Sequence, residues 1–290
     1  MRLAERDEMA QMPDDPHPDG WRTVLALAYA ARPGRLFNFA GFARLALEGL
    51  GRRGETEFLR PPERALAVPD GLVDIGGEMT VARLLAAYRQ GIYPWCHVGP
   101  VKWWAPSRRA VLFFEESRIE KNLRRLLRQG RYHVTFDTAF LDVMTGCAEP
   151  RPGRPSLTWI SPRFMAAYRA LHEAGHAHSV EVWDRDGSLA GGLYGVASGG
   201  VFFTESQFAR ARDTSKLAFV VLNRHLQEWG YVLNDGKDMT GHLASLGMRE
   251  IPRAEFTSLL AAHAGAGRAP GLWAIDPALD VAGWTPGAAA

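Results

Sequence analysis

Thr204-Glu205-Ser206-Gln207-Phe208-Ala209-Arg210 is the stretch on which the fold of this chain turns. It follows β-like sequence: residues 179–182 and 193–203 read as strands, and Asp184-Arg185-Asp186-Gly187 supplies a turn between two of them. Val201-Phe202-Phe203 then delivers a carboxylate, a hydroxyl, an aromatic ring and a guanidinium in quick succession. Asp213-Thr214-Ser215-Lys216 carries helix-start residues, and an apolar-periodic segment continues to Trp229. Polar groups placed where a strand ends and a helix begins are a common way to build a site on a rigid frame. A surface turn with a Glu–Arg ion pair would be written in the same residues.

Toward the C-terminus, residues 231–234 read as another strand with Asp235-Gly236-Lys237-Asp238 at its end. A short helix over 242–247 stops at a glycine, and residues 248–251 form a final strand. From Thr158 the order is helix, hairpin strands, helix, strand, short helix, strand. That order predicts an α/β (α+β) fold: an N-acetyltransferase-like mixed sheet flanked by helices, behind a smaller N-terminal domain. Acetyl-CoA users of that type hold pyrophosphate on a glycine-rich turn before the long helix. Here Arg210-Ala211-Arg212-Asp213-Thr214 has no glycine and places an anion there, so acetyl-CoA is not expected as the donor.

Toward the N-terminus, Ser161 or Pro162 opens a helix running to Gly175, residues 139–148 read as a helix and 132–136 as a strand. His176-Ala177-His178 is a pair that binds metal in other settings, but no other ligand-type spacing accompanies it, and no metal is expected. A helix over 117–129 carries Arg118, Lys121, Arg124, Arg125 and Arg128. Residues 101–135 hold nine Lys or Arg against three Glu, a local net charge of +6. Beside them lie Tyr93, Trp95, Trp103 and Trp104, among glycines and prolines. Basic residues with neighbouring aromatics suit a phosphate backbone and its terminal bases. At least one of Trp103 and Trp104 is expected in the core.

Residues 80–90 read as a helix capped by Thr80 and stopped by Gly91, and 58–74 as a proline-rich loop. Residues 21–50 suggest two short helices split by Arg32-Pro33-Gly34, the second with a bulky face (Phe37, Phe39, Phe42, Leu45) that packs on protein more often than on a membrane. Residues 1–20 are acidic and read as disordered. The organisation expected is therefore a partly disordered extension (1–57), a smaller aromatic and basic domain (58–130), an acyltransferase-like domain (131–260) and a tail (261–290).

Composition bounds the classes. With 290 residues, 47% hydrophobic and 23% charged, the chain is that of an ordinary globular protein, and a net charge of +2 makes no global case for nucleic acid. Cys96 and Cys147 are too few for a disulfide framework or a cysteine zinc site. The apolar run over 24–31 is preceded by acidic residues, unlike a secretory leader, and nothing approaches a membrane span. A cytoplasmic protein without stable membrane association, and a monomer, is expected.

The residues resemble one known family, the leucyl/phenylalanyl-tRNA–protein transferases. The resemblance covers about residues 58–256. It is carried by Leu84-Leu85-Ala86-Ala87-Tyr88-Arg89-Gln90-Gly91-Ile92-Tyr93-Pro94-Trp95, by Trp103-Trp104-Ala105-Pro106 with Arg109-Ala110-Val111-Leu112, and by Thr158-Trp159-Ile160. It continues through the run from Leu171 to Trp183, Gly191-Gly192-Leu193-Tyr194-Gly195-Val196, Glu205-Ser206, Phe208, Arg210, Ser215-Lys216 and His242-Leu243-Ala244-Ser245-Leu246-Gly247.

The resemblance implies transfer of leucine or phenylalanine, with methionine as a further option, from aminoacyl-tRNA to the α-amine of proteins beginning with Arg or Lys, which marks them for degradation. It implies no cofactor, because an aminoacyl ester is already activated; positioning and general base catalysis remain. It assigns the catalytic work to Glu205, Asp235 and Lys237, with Glu205 anchoring the reacting ends and Asp235 orienting the proton acceptor. It assigns the tRNA 3′ end and aminoacyl group to Trp103, Trp104, Trp159, Phe208, Arg210 and Ser215, with Trp159 on the terminal adenosine and Phe208 in the side-chain pocket.

Departures fall in the same places. Gln207 stands where the family has methionine, and Lys237 in Asp235-Gly236-Lys237 stands where the family has a catalytic glutamine. A lysine there is expected to pair with Asp235 and to repel a basic acceptor, or to act as a base if burial lowers its pKa. Two alternatives therefore stay open: transfer from tRNA to another amine, and a catalytically silent tRNA- or peptide-binding homologue.

Overall fold

The structure is a computed structural model that describes residues 59–97, 99–150 and 158–287, together with 24, 41, 42, 44 and 45. Apart from those five residues, the extension over 1–57 with its expected helices over 21–50, and residues 151–157 of the proline loop before Thr158, lie outside the described residues. Among those described, the strands are β1 (Leu72–Ile75), β2 (Tyr93–Pro94), β3 (Lys102–Trp104), β4 (Arg108–Phe113), β5 (His133–Phe136), β6 (Ala177–Trp183), β7 (Leu189–Ser198), β8 (Val201–Ala209), β9 (Leu233–Lys237) and β10 (Arg249–Pro252). The helices are α1 (Val81–Tyr88), α2 (Lys121–Gln129), α3 (Phe140–Ala148), α4 (Pro162–Glu173), α5 (Thr214–Glu228), α6 (Gly241–Ser245) and α7 (Arg253–Ala262).

Seven strands form one mixed sheet in the order β10-β4-β9-β8-β7-β6-β5, and β1, β3 and β2 form a small antiparallel sheet beside it. Within the large sheet only β8 and β9 run parallel, which requires a crossover; α5 provides it. Side-chain alternation divides the interior. Phe203, Tyr194 and Val196 point to a core shared with α1, α3, α4 and α7, whereas Phe202 and Leu193 point to one shared with α2 and α5. With both faces covered, β7 is buried over nearly all its length, so it reads as a continuous apolar run and not as an alternating one.

The mixed, helix-flanked sheet expected from sequence is present. Thr80 caps α1 through its hydroxyl, which accepts from Arg83 N, and α5 begins where Asp213-Thr214 pointed. Four features differ from expectation. Strand β8 does not end at Phe203 but runs to Ala209, so Glu205 lies inside a strand. Strand β1 sits within the stretch read as loop, and α7 extends the chain past the last expected strand. Residues 108–129, grouped from sequence with the smaller N-terminal unit, lie in and on the large sheet: β4 fills the place between β10 and β9, and α2 packs on α5. Short strands paired with partners more than a hundred residues away leave no local periodicity to read.

No helix among the described residues is long and apolar enough to cross a membrane.

Candidate active site

Two β-bulges on neighbouring strands make the site. Tyr194 pairs with Ser206 and Gly195 with Thr204, so Glu205 is the extra residue on β8. Ala110 pairs with Lys237 and Val111 with Asp235, so Gly236 is the extra residue on β9. A bulge bends its strand and re-aims the side chain it displaces. Because β8 and β9 are held in register at Phe203 and Asp235, both chains bulge just beyond the same level, and the side chains of Glu205 and Lys237 converge. Gly195 permits the first bulge, since a Cβ there would collide with the carbonyl oxygen of Phe203. Lys237 adopts a left-handed φ of +65°, a conformation costly for a residue with a side chain and tolerated where the surroundings impose it. A buried polar ladder ties the strands and the crossover helix together: Thr204 Oγ1 donates to Asn234 Oδ1 at 2.8 Å, and Asn234 Nδ2 donates to Asn223 Oδ1 at 2.8 Å.

Glu205, its side chain only 1% exposed, is held by three donors from different parts of the chain. Lys237 Nζ lies 2.7 Å from Oε1. Tyr88 OH donates to Oε1 at 2.6 Å and Tyr168 OH to Oε2 at 2.9 Å, and the two phenols are themselves 2.6 Å apart. Burial, followed by the nearby Glu205 charge, pushes both tyrosines well above their ordinary pKa, so they stay protonated and serve as donors. Lys237 Nζ also donates to Thr204 O at 2.8 Å and lies 5.4 Å from the centre of the Tyr93 ring.

Asp235 belongs to a different arrangement. It is fully buried beneath the floor and chelated by Arg109, whose Nε donates to Oδ1 at 3.0 Å and whose Nη2 donates to Oδ2. Arg109 Nη1 donates to Gly91 O at 2.8 Å, and its guanidinium lies over Tyr93 and Phe256. Burial alone would disfavour its charge, but Asp235 more than offsets that and raises its pKa. The expected Lys237–Asp235 ion pair is therefore not formed. Asp235 spends its charge on Arg109 and meets Lys237 only through the backbone N–H, at 3.1 Å to Oδ1, while the lysine ammonium turns to Glu205.

Above this floor opens a cleft of about 1020 Å³. It brings together Trp104, Trp159, Glu205, Phe208, Ser215 and Lys237 of the residues singled out from sequence. Trp104 is fixed by its indole N–H to Trp95 O at 2.9 Å, and Trp159 packs edge-on against Phe164 and Tyr168. Phe208 lies flush on α3, where a Cβ on Gly146 would meet its ring at 2.7 Å. Three other residues lie elsewhere. Trp103 is wholly buried with its N–H on Gly76 O, the core position expected for one of the pair. Asp235 is sealed below. Arg210 sits outside the cleft lining, bound to Glu149 at 2.5 Å and to Leu189 O at 2.9 Å, with its guanidinium 5.2 Å from the Phe208 ring that it backs. Gln207 lines the cleft as an amide where an apolar side chain was the family pattern.

Sequence reasoning did not single out Tyr88, Tyr168 or Arg109 for the site. Each stands in an ordinary helix or strand pattern, and their convergence on Glu205 and Asp235 is a property of tertiary packing. No cluster of three or more His, Cys, Asp or Glu suited to a metal occurs among the described residues; His178 is engaged by Asp137 and stacks on Trp273.

Comparison with known proteins places the chain in a family. Residues 111–261 match the family model described as leucyl/phenylalanyl-tRNA protein transferase, and residues 77–107 match the model of its N-terminal domain. The leucyl/phenylalanyl-tRNA–protein transferase of Aromatoleum aromaticum is 52% identical over 76% of this chain and 93% of its own. Those of Pseudomonas syringae pv. syringae (50% identical, 70% of this chain, 88% of its own) and Thiobacillus denitrificans (47%, 76% and 96%) are similarly related. Among solved structures the likeness is weaker: FemX aligns over 51% of this chain and 60% of its own at 13% identity, with a TM-score of 0.40. With half of the chain under one family model and relatives matched over nearly their whole length, this chain belongs to the leucyl/phenylalanyl-tRNA–protein transferase family.

Proposed function

We propose that the protein transfers leucine or phenylalanine from aminoacyl-tRNA to the α-amine of proteins that begin with Arg or Lys, and that it does so in the cytoplasm, where charged tRNA is found. The observation that carries this reading is the Glu205–Lys237 pair, held at the floor of a cleft with tryptophans on its wall. Trp104 and Trp159 offer ring faces for the terminal adenosine, and Phe208 with Gln207 borders the space for the aminoacyl side chain.

The chemistry needs one nucleophile aligned and one proton moved. The acceptor nitrogen forms a bond to the ester carbonyl carbon, and the bond from that carbon to the ribose oxygen breaks. In this reading Glu205 takes the proton that the amine loses, and the Lys237 ammonium gives one to the departing ribose oxygen. The 2.7 Å contact between them then returns the proton from Glu205 to Lys237, so the pair ends as it began. Lysine thereby fills the place of the family's glutamine as a donor. Paired with a carboxylate, it presents no net charge to repel a basic acceptor. Tyr88 and Tyr168 keep the carboxylate aimed, Asp235 fixes the Lys237 backbone, and alignment contributes the larger share of the rate.

The test is transfer of radiolabelled leucine or phenylalanine from charged tRNA to a peptide beginning with arginine. Product that disappears with Glu205→Gln supports the reading. Absence of product with the unaltered protein, while charged tRNA still binds, would overturn it.

A further inference from the structure

We propose that Asp238 recognises the positive charge of the acceptor's first side chain, a guanidinium or ammonium group; the inference rests on the transfer reading above. Three carboxylates line the cleft, and two are already satisfied. Glu205 accepts from two phenols and a lysine. Asp70, at the rim, accepts from both the N–H and the hydroxyl of Ser107, at 3.1 and 2.9 Å. Asp238 has one long contact, from Tyr93 OH at 3.5 Å, and its carboxylate forms no ion pair among the described residues. Asp238 is exposed toward the cleft, and what burial it has pushes its pKa above the ordinary aspartate value, with the Arg109 and Lys237 charges pulling the other way. An exposed carboxylate that faces the cleft and makes no ion pair of its own can receive a cation that arrives from solution.

Position strengthens the assignment. Asp238 directly follows Lys237, and both approach Tyr93: Lys237 Nζ is 5.4 Å from the ring centre, and the phenol oxygen is 3.5 Å from the Asp238 carboxylate. An acceptor whose α-amine sits at the Glu205–Lys237 pair would direct its Lys or Arg side chain along the same cleft wall toward Asp238. The lysine also makes a separate anion necessary, because the Glu205 charge is neutralised by Lys237 and does not serve a second cation.

The experiment measures steady-state transfer from charged tRNA to two peptides that differ only in their first residue, arginine or its neutral isostere citrulline. Asp238→Asn is expected to raise KM for the arginine peptide about tenfold with kcat within twofold, and to leave the citrulline peptide unchanged. Asp238→Glu is expected to retain most of the preference. Equal shifts for both peptides, or no shift for either, would overturn the assignment while leaving the transfer reading intact. Failure of the unaltered protein to use either peptide would overturn the transfer reading itself, and the assignment with it.

Discussion

Two ion pairs a few ångströms apart on adjoining strands do different work. Arg109–Asp235 is sealed, with side chains 1% and 0% exposed, and every contact it makes is to the protein. Glu205–Lys237 has the same charges and similar spacing, but its lysine is 10% exposed and both residues border the cleft. A buried pair gains little net stability because desolvation opposes the Coulomb attraction, yet it is costly to break. What distinguishes the two is access. The open pair borders the cleft, where a bound molecule can meet it, and the sealed pair joins β4 to β9 out of reach of the cleft.

Breaking the sealed pair should have the largest effect on the fold. Arg109→Met leaves Asp235 charged and alone, and about 3–5 kcal/mol of unfolding free energy should be lost in urea denaturation. Adding Asp235→Leu should restore most of it without restoring transfer; a double variant as unstable as the single one would mean that the pair is not what is being lost. Breaking the open pair should invert the pattern. Glu205→Gln should lower kcat by about 10²–10⁴-fold, measured by single-turnover transfer, with a far smaller change in the unfolding midpoint. Tyr168→Phe sharpens the comparison, since it removes one donor from Glu205 while leaving the Lys237 contact; a stability loss of about 1–2 kcal/mol and a modest fall in kcat are expected. The smallest effect belongs to the exposed pair Arg210–Glu149, with side chains 45% exposed on both sides: Glu149→Gln should cost less than about 1 kcal/mol and matter less still in high salt.

Much of the fold was legible in local pattern. Thr80 and Asp213-Thr214 marked helix starts that the structure keeps, Gly91 and Gly247 marked stops, and the run over 193–203 marked strand. The family blocks singled out Glu205, Phe208 and Trp159, and a departure from the family pattern singled out Lys237; the structure brings these four to one cleft. What local pattern missed was geometry made by distant partners. Glu205 was read at a strand's end and lies inside one, because a bulge leaves no mark in residue type. The Lys237–Asp235 pair expected from adjacency fails because Arg109, 126 residues before Asp235, reaches that carboxylate first. Tyr88 and Tyr168 were invisible as site residues for the same reason.

The sequence by itself determined which segments would be helix or strand, since capping and side-chain period act within a few residues. It also determined the family, since ordered blocks of chemistry-bearing residues survive in it. Only the tertiary structure decided which carboxylate would be sealed and which left open, because burial and partner choice depend on strands distant in the chain being brought together. Two bulges at one level of β8 and β9 turned Glu205 and Lys237 toward each other, and no residue on its own carries that instruction.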